Sequence, residues 1–389
     1  MIGFKFHGIN AGIKPDKKSD LGIIFSEKPA SLAAVFTKNK VVAAPVILGQ
    51  DRLKHGICQA VLVNSGNANC FTGQQGLKDA IDSSKFVADQ LGIPEEFVIV
   101  SSTGVIGLPL PMDKFQKGIP KLVQTIDRGG IDDFAQAILT TDKTIKKVVR
   151  KDRIKDNEYS IVGIAKGSGM IHPDMATMLS FICTDLNISS FILQNILQKS
   201  CDRSFNRISV DGDTSTNDTV LCLANGMSKA IVENDDDIDA FQKSFDKVLF
   251  DLSKKIVKDG EGATKSARII VKGALNEKDA FMIAKTIANS NLVKTALFGE
   301  DPNWGRIVAA AGRSGAELVM DKIDLSFNDV IILDKGKWCG KEAENRANII
   351  LKKDEYDITL NLNLGDFEDY FLFCDFSKEY VTINADYRS

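Results

Sequence analysis

The chain has 389 residues, enough for one large domain or two ordinary ones around a sizeable core. Its 44% hydrophobic and 26% charged residues are the balance of a soluble globular protein rather than a disordered or membrane-embedded one. A formal charge of -3 and a pI near 5.8 leave no basic footprint for nucleic acid or a membrane surface.

Cysteines fall at Cys58, Cys70, Cys183, Cys201, Cys222, Cys339 and Cys374, an odd number with no C-x-x-C spacing. Most sit in apolar runs, so they read as buried thiols of a reducing compartment. The start, from Met1 to Phe6, has no basic segment leading into a long apolar one, and no apolar run is long enough to span a bilayer. A cytoplasmic location is expected.

In chain order, Ala60-Val61-Leu62-Val63-Asn64 reads as a buried strand ending in a polar turn. A second strand covers residues 97–104 and ends in Ser101-Ser102-Thr103-Gly104; a third covers Ser160 to Ala165. After Asp235-Asp236-Asp237, the residues Ile238, Phe241, Phe245, Val248, Leu252 and Ile256 recur at helical spacing, with Gly260 beyond the end. The acidic start suits a helix N-terminus. Towards the C-terminus, residues 330–333 and 358–364 alternate as half-buried strands. The expected class is therefore α/β (α+β), with a soft boundary near 285 between a core of 1–285 and a C-terminal domain of 286–389.

Several familiar sites are excluded. The run Gly336 to Lys341 is one residue too short for a phosphate loop and lacks the hydroxyl residue after lysine. Asp211-Gly212-Asp213-Thr214-Ser215 begins like a calcium loop, but Thr216 stands where the sharp-turn glycine belongs. His7, His55 and His172 have no metal-ligand spacing, so no metal is expected. No G-x-S-x-G turn exists, and a nucleophile, if present, is not one activated by histidine.

The unusual stretch runs from Lys166-Gly167-Ser168-Gly169-Met170 through His172-Pro173-Asp174-Met175 to Ala176-Thr177-Met178-Leu179. A glycine loop leads through a proline into an apolar run, and a small residue precedes a threonine. A flexible loop can adopt strained geometry while a packed run holds the hydroxyl. Thr177 Oγ could then attack the Ala176 carbonyl, giving an ester that water opens. The product is a free α-amine on Thr177, with a pKa of about 8. It can take the hydroxyl proton, so that nucleophile and base are one residue. The plainer reading is a strand threonine with a satisfied hydroxyl.

This segment resembles the cleavage motif of the ornithine acetyltransferase (glutamate N-acetyltransferase) family. The likeness continues through Asn64 to Asn69, Ser101 to Gly107, Thr140-Thr141-Asp142, Asp211 to Asp218, Asp259 to Lys265, Gly299 to Arg306 and the terminal Ile383 to Ser389. It implies a layered sheet-and-helix core like that of self-processing N-terminal-nucleophile enzymes, and a smaller C-terminal α+β domain whose tail returns to the active site. It implies cleavage between Ala176 and Thr177 into pieces 1–176 and 177–389, with Thr177 as acetyl acceptor.

By the same resemblance Thr103 and Gly104 form the oxyanion hole, though by type alone they are a strand-to-loop turn. Lys166, Glu261, Asn384, Ser389 and one of Thr140 and Thr141 bind substrate. By type alone Lys166 reads as a solvated loop lysine and Glu261 as part of a helix-ending loop. The runs Asp211 to Asp218 and Asn64 to Asn69 read as structural turns that shape the pocket. His172 and Asp174 stand where many relatives carry alanine and asparagine, and Ser389 replaces a common terminal threonine.

The implied reaction moves acetyl from N-acetylornithine to glutamate by a ping-pong route in arginine biosynthesis, with no required cofactor. Relatives differ in whether acetyl-CoA is a second donor, and no residue decides it. A heterotetramer of two pieces of each kind is implied. The alternative is a self-processing N-terminal-threonine amidase or aminopeptidase, which passes the acyl group to water.

Overall fold

The computed structural model describes residues 1–172 and 178–386. The fold is mixed α/β, with two sheets and flanking helices. Its described residues pack as two units: 1–206 with 213–256, and 207–212 with 257–386. The sequence texture changes near 285, whereas the packing divides at 256.

The chain forms β1 (Phe4–Ile9), β2 (Leu21–Phe36), β3 (Ile57–Asn67), β4 (Val98–Val105), β5 (Lys146–Ile154), β6 (Asn157–Lys166), β7 (Leu179–Thr184), β8 (Ile208–Ser209) and β9 (Thr219–Ala224). The sheet of the first unit runs β4-β3-β2-β9-β7-β6-β5, with β1 paired to β2. β3 with β4 and β7 with β9 are parallel; the other pairs are antiparallel.

The central strands are buried on both faces, which is why they read as continuous apolar runs. On one face Leu62, Val98 and Val100 meet Ala80, Val87, Phe115 and Ile119 from the helices Gly73–Leu91 and Met112–Gln124. On the other, Val61, Val63, Ile99 and Ile164 meet Phe134 and Phe181. Each such side chain contributes roughly 1.5–3 kcal/mol through burial. The helix Asp235–Lys258 buries Phe241, Phe245, Val248, Leu252 and Ile256, as its spacing predicts. It packs against β6 at Gly163, where a Cβ would stand 2.9 Å from Val248 Cγ1.

The second unit adds β10 (Ser266–Ala274), β11 (Asp324–Phe327), β12 (Val330–Asp334), β13 (Lys337–Trp338), β14 (Glu355–Asn361) and β15 (Phe367–Cys374), in the order β13-β12-β11-β14-β10-β15-β8. Its core joins Ile269, Val271, Ile358, Leu360, Phe371 and Phe373 to Ile283 and Ile287 of the helix Glu277–Ala288. β14 ends at Asn361 rather than running to 364, because Asn363 turns to φ +52°. Gly336 lies in a hairpin turn, Lys337 and Trp338 form β13, and Lys341 opens the helix Lys341–Leu351, so this run is no phosphate loop.

Among the described residues no helix is long and apolar enough to cross a membrane. All seven cysteines are free thiols, and only Cys339 is exposed. Burial pushes the Cys58 thiol up to about 12, which keeps it unreactive.

Candidate active site

β6 and β7 pair antiparallel, with Lys166 opposite Leu179, so the glycine loop between them is a hairpin connection. β4 brings Thr103 and Gly104 to the edge of the same region. Gly104 has φ +130°, and a Cβ there would press on the Gly66 carbonyl carbon and stand 2.6 Å from Asn67 N. Only glycine fits a backbone held that closely.

The turns around these ends are locked by amides. Ser102 Oγ donates to Asn64 Oδ1 at 2.6 Å, and Asn64 Nδ2 donates to Asn67 O at 2.8 Å. Asn217 Nδ2 donates to Ala68 O and Ser102 O at 2.6 and 2.8 Å. Asn64 and Asn217 thus brace the ends of β3 and β4.

Lys166 is 3% exposed, so it is not a solvated loop lysine. Its Nζ donates to Thr140 Oγ1 at 2.7 Å and to Thr103 Oγ1 at 3.3 Å. Asp142 lies behind it, with Oδ2 at 3.9 Å from Lys166 Nζ and Oδ1 at 2.6 Å from Lys146 Nζ. The side chains of Asp142 and Lys146 are wholly buried. Asp142 also accepts the Gly167 and Thr140 N–H groups at 2.7 and 3.0 Å.

Burial alone would raise the Asp142 carboxyl. The charges of Lys166 and Lys146 outweigh it and hold the carboxyl well below the usual carboxylate range. One carboxylate therefore fixes two ammonium groups and the first amide of the glycine loop. Thr141 faces another way, its Oγ1 sharing a hydrogen bond of 2.7 Å with Ser168 Oγ.

Thr103, Lys166, Met178, Leu179, Ser215, Asn217 and Asp218 line one pocket. Met178, the residue after Thr177, is held there by the Asp218 side chain, whose Oδ1 accepts its N–H at 2.9 Å. Asp174, Ala176, Thr177 and Ser389 lie outside the described residues.

In the second unit, Glu261 follows the helix Asp235–Lys258 and is 7% exposed. Its Oε2 accepts from Asn384 Nδ2 at 2.8 Å. Asn384 sits on the helix Lys378–Asp386. Ser377 Oγ secures the start of that helix by donating to Gly262 O at 2.6 Å.

The structure therefore brings Thr103, Thr140 and Lys166 together, and separately Glu261 and Asn384. Sequence reasoning gave no role to Lys146 or Asp142 and only a turn-closing one to Asp218. Their signal is a charged residue that turns out buried, which no spacing shows. Among the described residues no group of three His, Cys, Asp or Glu side chains gathers to hold a metal.

Residues 5–389 match the ArgJ family. The chain belongs to the ArgJ family. It is 49% identical over 389 residues to the arginine biosynthesis bifunctional protein ArgJ of Syntrophotalea carbinolica, covering 100% of this chain and 99% of that one. To the protein of the same name from Geobacter sulfurreducens it is 46% identical, with the same coverage of 100% and 99%. A crystal structure of the arginine biosynthesis bifunctional protein ArgJ from Bacillus halodurans aligns with a TM-score of 0.52 and 42% identity, covering 54% of this ArgJ chain and 100% of the other.

Proposed function

We propose that this acyltransferase of arginine biosynthesis cuts its own backbone between Ala176 and Thr177, then carries an acetyl group on Thr177 Oγ from N-acetylornithine to glutamate. The observation that carries the reading is the buried Lys166 ammonium between Thr103 Oγ1 and Thr140 Oγ1, in a pocket that also holds Met178. A cation and hydroxyls gathered beside the residue that follows Thr177 suit the development of an oxyanion there. The solved relative's chain, matched whole by about half of this one, is also the size expected of a separate piece.

In the cleavage step Thr177 Oγ attacks the Ala176 carbonyl carbon. The C–N bond breaks and its nitrogen takes the proton, leaving an ester. Water hydrolyses that ester to an Ala176 carboxylate, a free Thr177 hydroxyl and its α-amine. In the transfer step the α-amine takes the Oγ proton as Oγ attacks the acetyl carbonyl. Thr103 Oγ1 and the Gly104 N–H donate to the tetrahedral oxyanion. The acetyl C–N bond breaks, the proton passes to the leaving nitrogen, and ornithine departs. The amine of glutamate then attacks the acetyl ester, and Thr177 Oγ takes back a proton as N-acetylglutamate leaves.

Lys166 receives the carboxylate that both substrates carry, and Thr140 rather than Thr141 is the threonine that contacts them. Glu261 pairs with the side-chain amine of ornithine, and Asn384 and Ser389 contribute further contacts. Exchange between two similar amides needs no energy source and no cofactor. Acetyl-CoA is a second acetyl donor to test by thioester consumption. The pieces stay associated, two of each, and the enzyme works in the cytoplasm, where its free thiols are at home. Initial rates at varied substrate concentrations test the scheme: parallel double-reciprocal lines support it, and lines that converge because both substrates must bind together contradict it.

A further inference from the structure

Asp218 directly precedes β9 and is 1% exposed. Its own carbonyl accepts the Thr37 N–H at 3.0 Å, and the next amide, Thr219 N–H, donates to Met178 O at 3.1 Å. Its Oδ1 accepts the Met178 N–H at 2.9 Å. Asp218 and Thr219 thus hold both backbone polar groups of Met178. That nitrogen belongs to the peptide that follows Thr177 in the chain.

Oδ2 is different. Among the described residues it has no hydrogen-bond partner, although Asp218 lines the same pocket as Thr103, Lys166 and Met178. A buried polar atom left without a protein partner is rare and calls for an explanation.

We infer that Asp218 is a positioning residue for Thr177, gripping through Oδ1 the peptide that follows the nucleophile and presenting Oδ2 to the pocket lined by Thr103 and Lys166. The inference rests on Thr177 being the nucleophile. Its surroundings favour the neutral form of the carboxyl. Burial pushes it well above its usual range, against the opposing pull of the Met178 N–H and the Lys166 charge. An ionised Asp218 would compete for the Lys166 ammonium; a protonated one leaves that charge to the substrate carboxylate. The Oδ2–H is then a donor offered to an acyl or carboxylate oxygen of the bound substrate.

The test compares Asp218→Ala, Asp218→Asn and Thr177→Ala in the full-length chain. Cleavage is read by intact mass, and acetyl transfer from N-acetylornithine by kcat and KM. Asp218→Ala should melt cooperatively, be cut about tenfold more slowly or worse, and lose about 100-fold in kcat with KM within about threefold, as expected of a misplaced nucleophile. Asparagine keeps an acceptor for Met178 N–H and a donor at the second position, so Asp218→Asn should recover to within about tenfold of wild type.

Wild-type cleavage and kcat in Asp218→Ala overturn the inference, as does a change confined to KM. An asparagine variant as impaired as the alanine one shows that a negative charge is required and overturns it too. If Asp218→Ala does not fold, the asparagine variant decides alone: recovery supports the inference, and a loss beyond about 100-fold contradicts it. Thr177→Ala keeps the two ideas apart, because a cut or active Thr177→Ala chain sinks the nucleophile reading whatever the Asp218 variants do.

Discussion

Lys166 Nζ donates to Thr140 Oγ1 at 2.7 Å from a side chain that is almost wholly buried. An ammonium group is placed there at a cost in desolvation, which the structure offsets with Asp142 and two hydroxyls. A lysine so enclosed is fixed in direction before any substrate arrives, and preorganised charge is what a developing oxyanion or a carboxylate needs.

Replacing Lys166 by methionine keeps the volume and removes the charge. Asp142 retains Lys146, so the fold should survive. Acetyl transfer measured as kcat/KM should fall about 100-fold or more. Lys166→Arg should not restore it, because a planar guanidinium cannot reproduce a point charge among Thr140, Thr103 and Asp142. Near-wild-type rates in either variant would remove Lys166 from the site.

Asp142→Asn leaves two buried ammonium groups without their carboxylate. Urea unfolding at neutral pH should show a loss of about 3–5 kcal/mol. The folded carboxyl is depressed below its ordinary 3.8, so its contribution is present above that value and lost only as pH falls through the lower, folded value. The stability gap between wild type and Asp142→Asn should therefore hold steady down to mildly acidic pH and close only in stronger acid.

Asp218 has the opposite sign. Its folded carboxyl titrates above 3.8, so with rising pH the unfolded chain gives up a proton that the folded chain keeps. Wild-type stability loses ground through that window, while Asp218→Asn does not titrate. The Tm of Asp218→Asn relative to wild type should climb as pH rises from about 4. A gap that stays flat with pH would mean that Asp218 is ionised in the folded protein, despite its burial and its place beside Lys166.

Gly104→Ala forces a side chain onto the Gly66–Asn67 peptide at φ +130°. It should destabilise the ends of β3 and β4 by about 1–3 kcal/mol and slow cleavage. Thermal melting and the rate of appearance of two bands on a denaturing gel measure both. An unchanged cleavage rate would separate this turn from the chemistry.

Much of the fold was legible because β3, β4 and β6 are buried on both faces and so read as unbroken apolar runs, and because the helix Asp235–Lys258 repeats its apolar positions at helical spacing. β2 was not read: Glu27, Lys28 and Pro29 interrupt it, and the strand continues past them with a register shift between Phe25 and Ala30. The site was legible only as a set of motifs. Nothing in the spacing of Lys166 says that it is buried, because its carboxylate partner Asp142 arrives from another segment through the fold. Asp218 was read as one turn-closing residue among several, and its hold on Met178 depends on the parallel pairing of β7 with β9.

The most direct test is the intact mass of freshly folded wild-type protein, before and after incubation with N-acetylornithine. Two pieces corresponding to residues 1–176 and 177–389 are expected, with one acetyl group gained by the second and none by the first. A single uncut polypeptide that still exchanges acetyl groups at full rate would contradict the account.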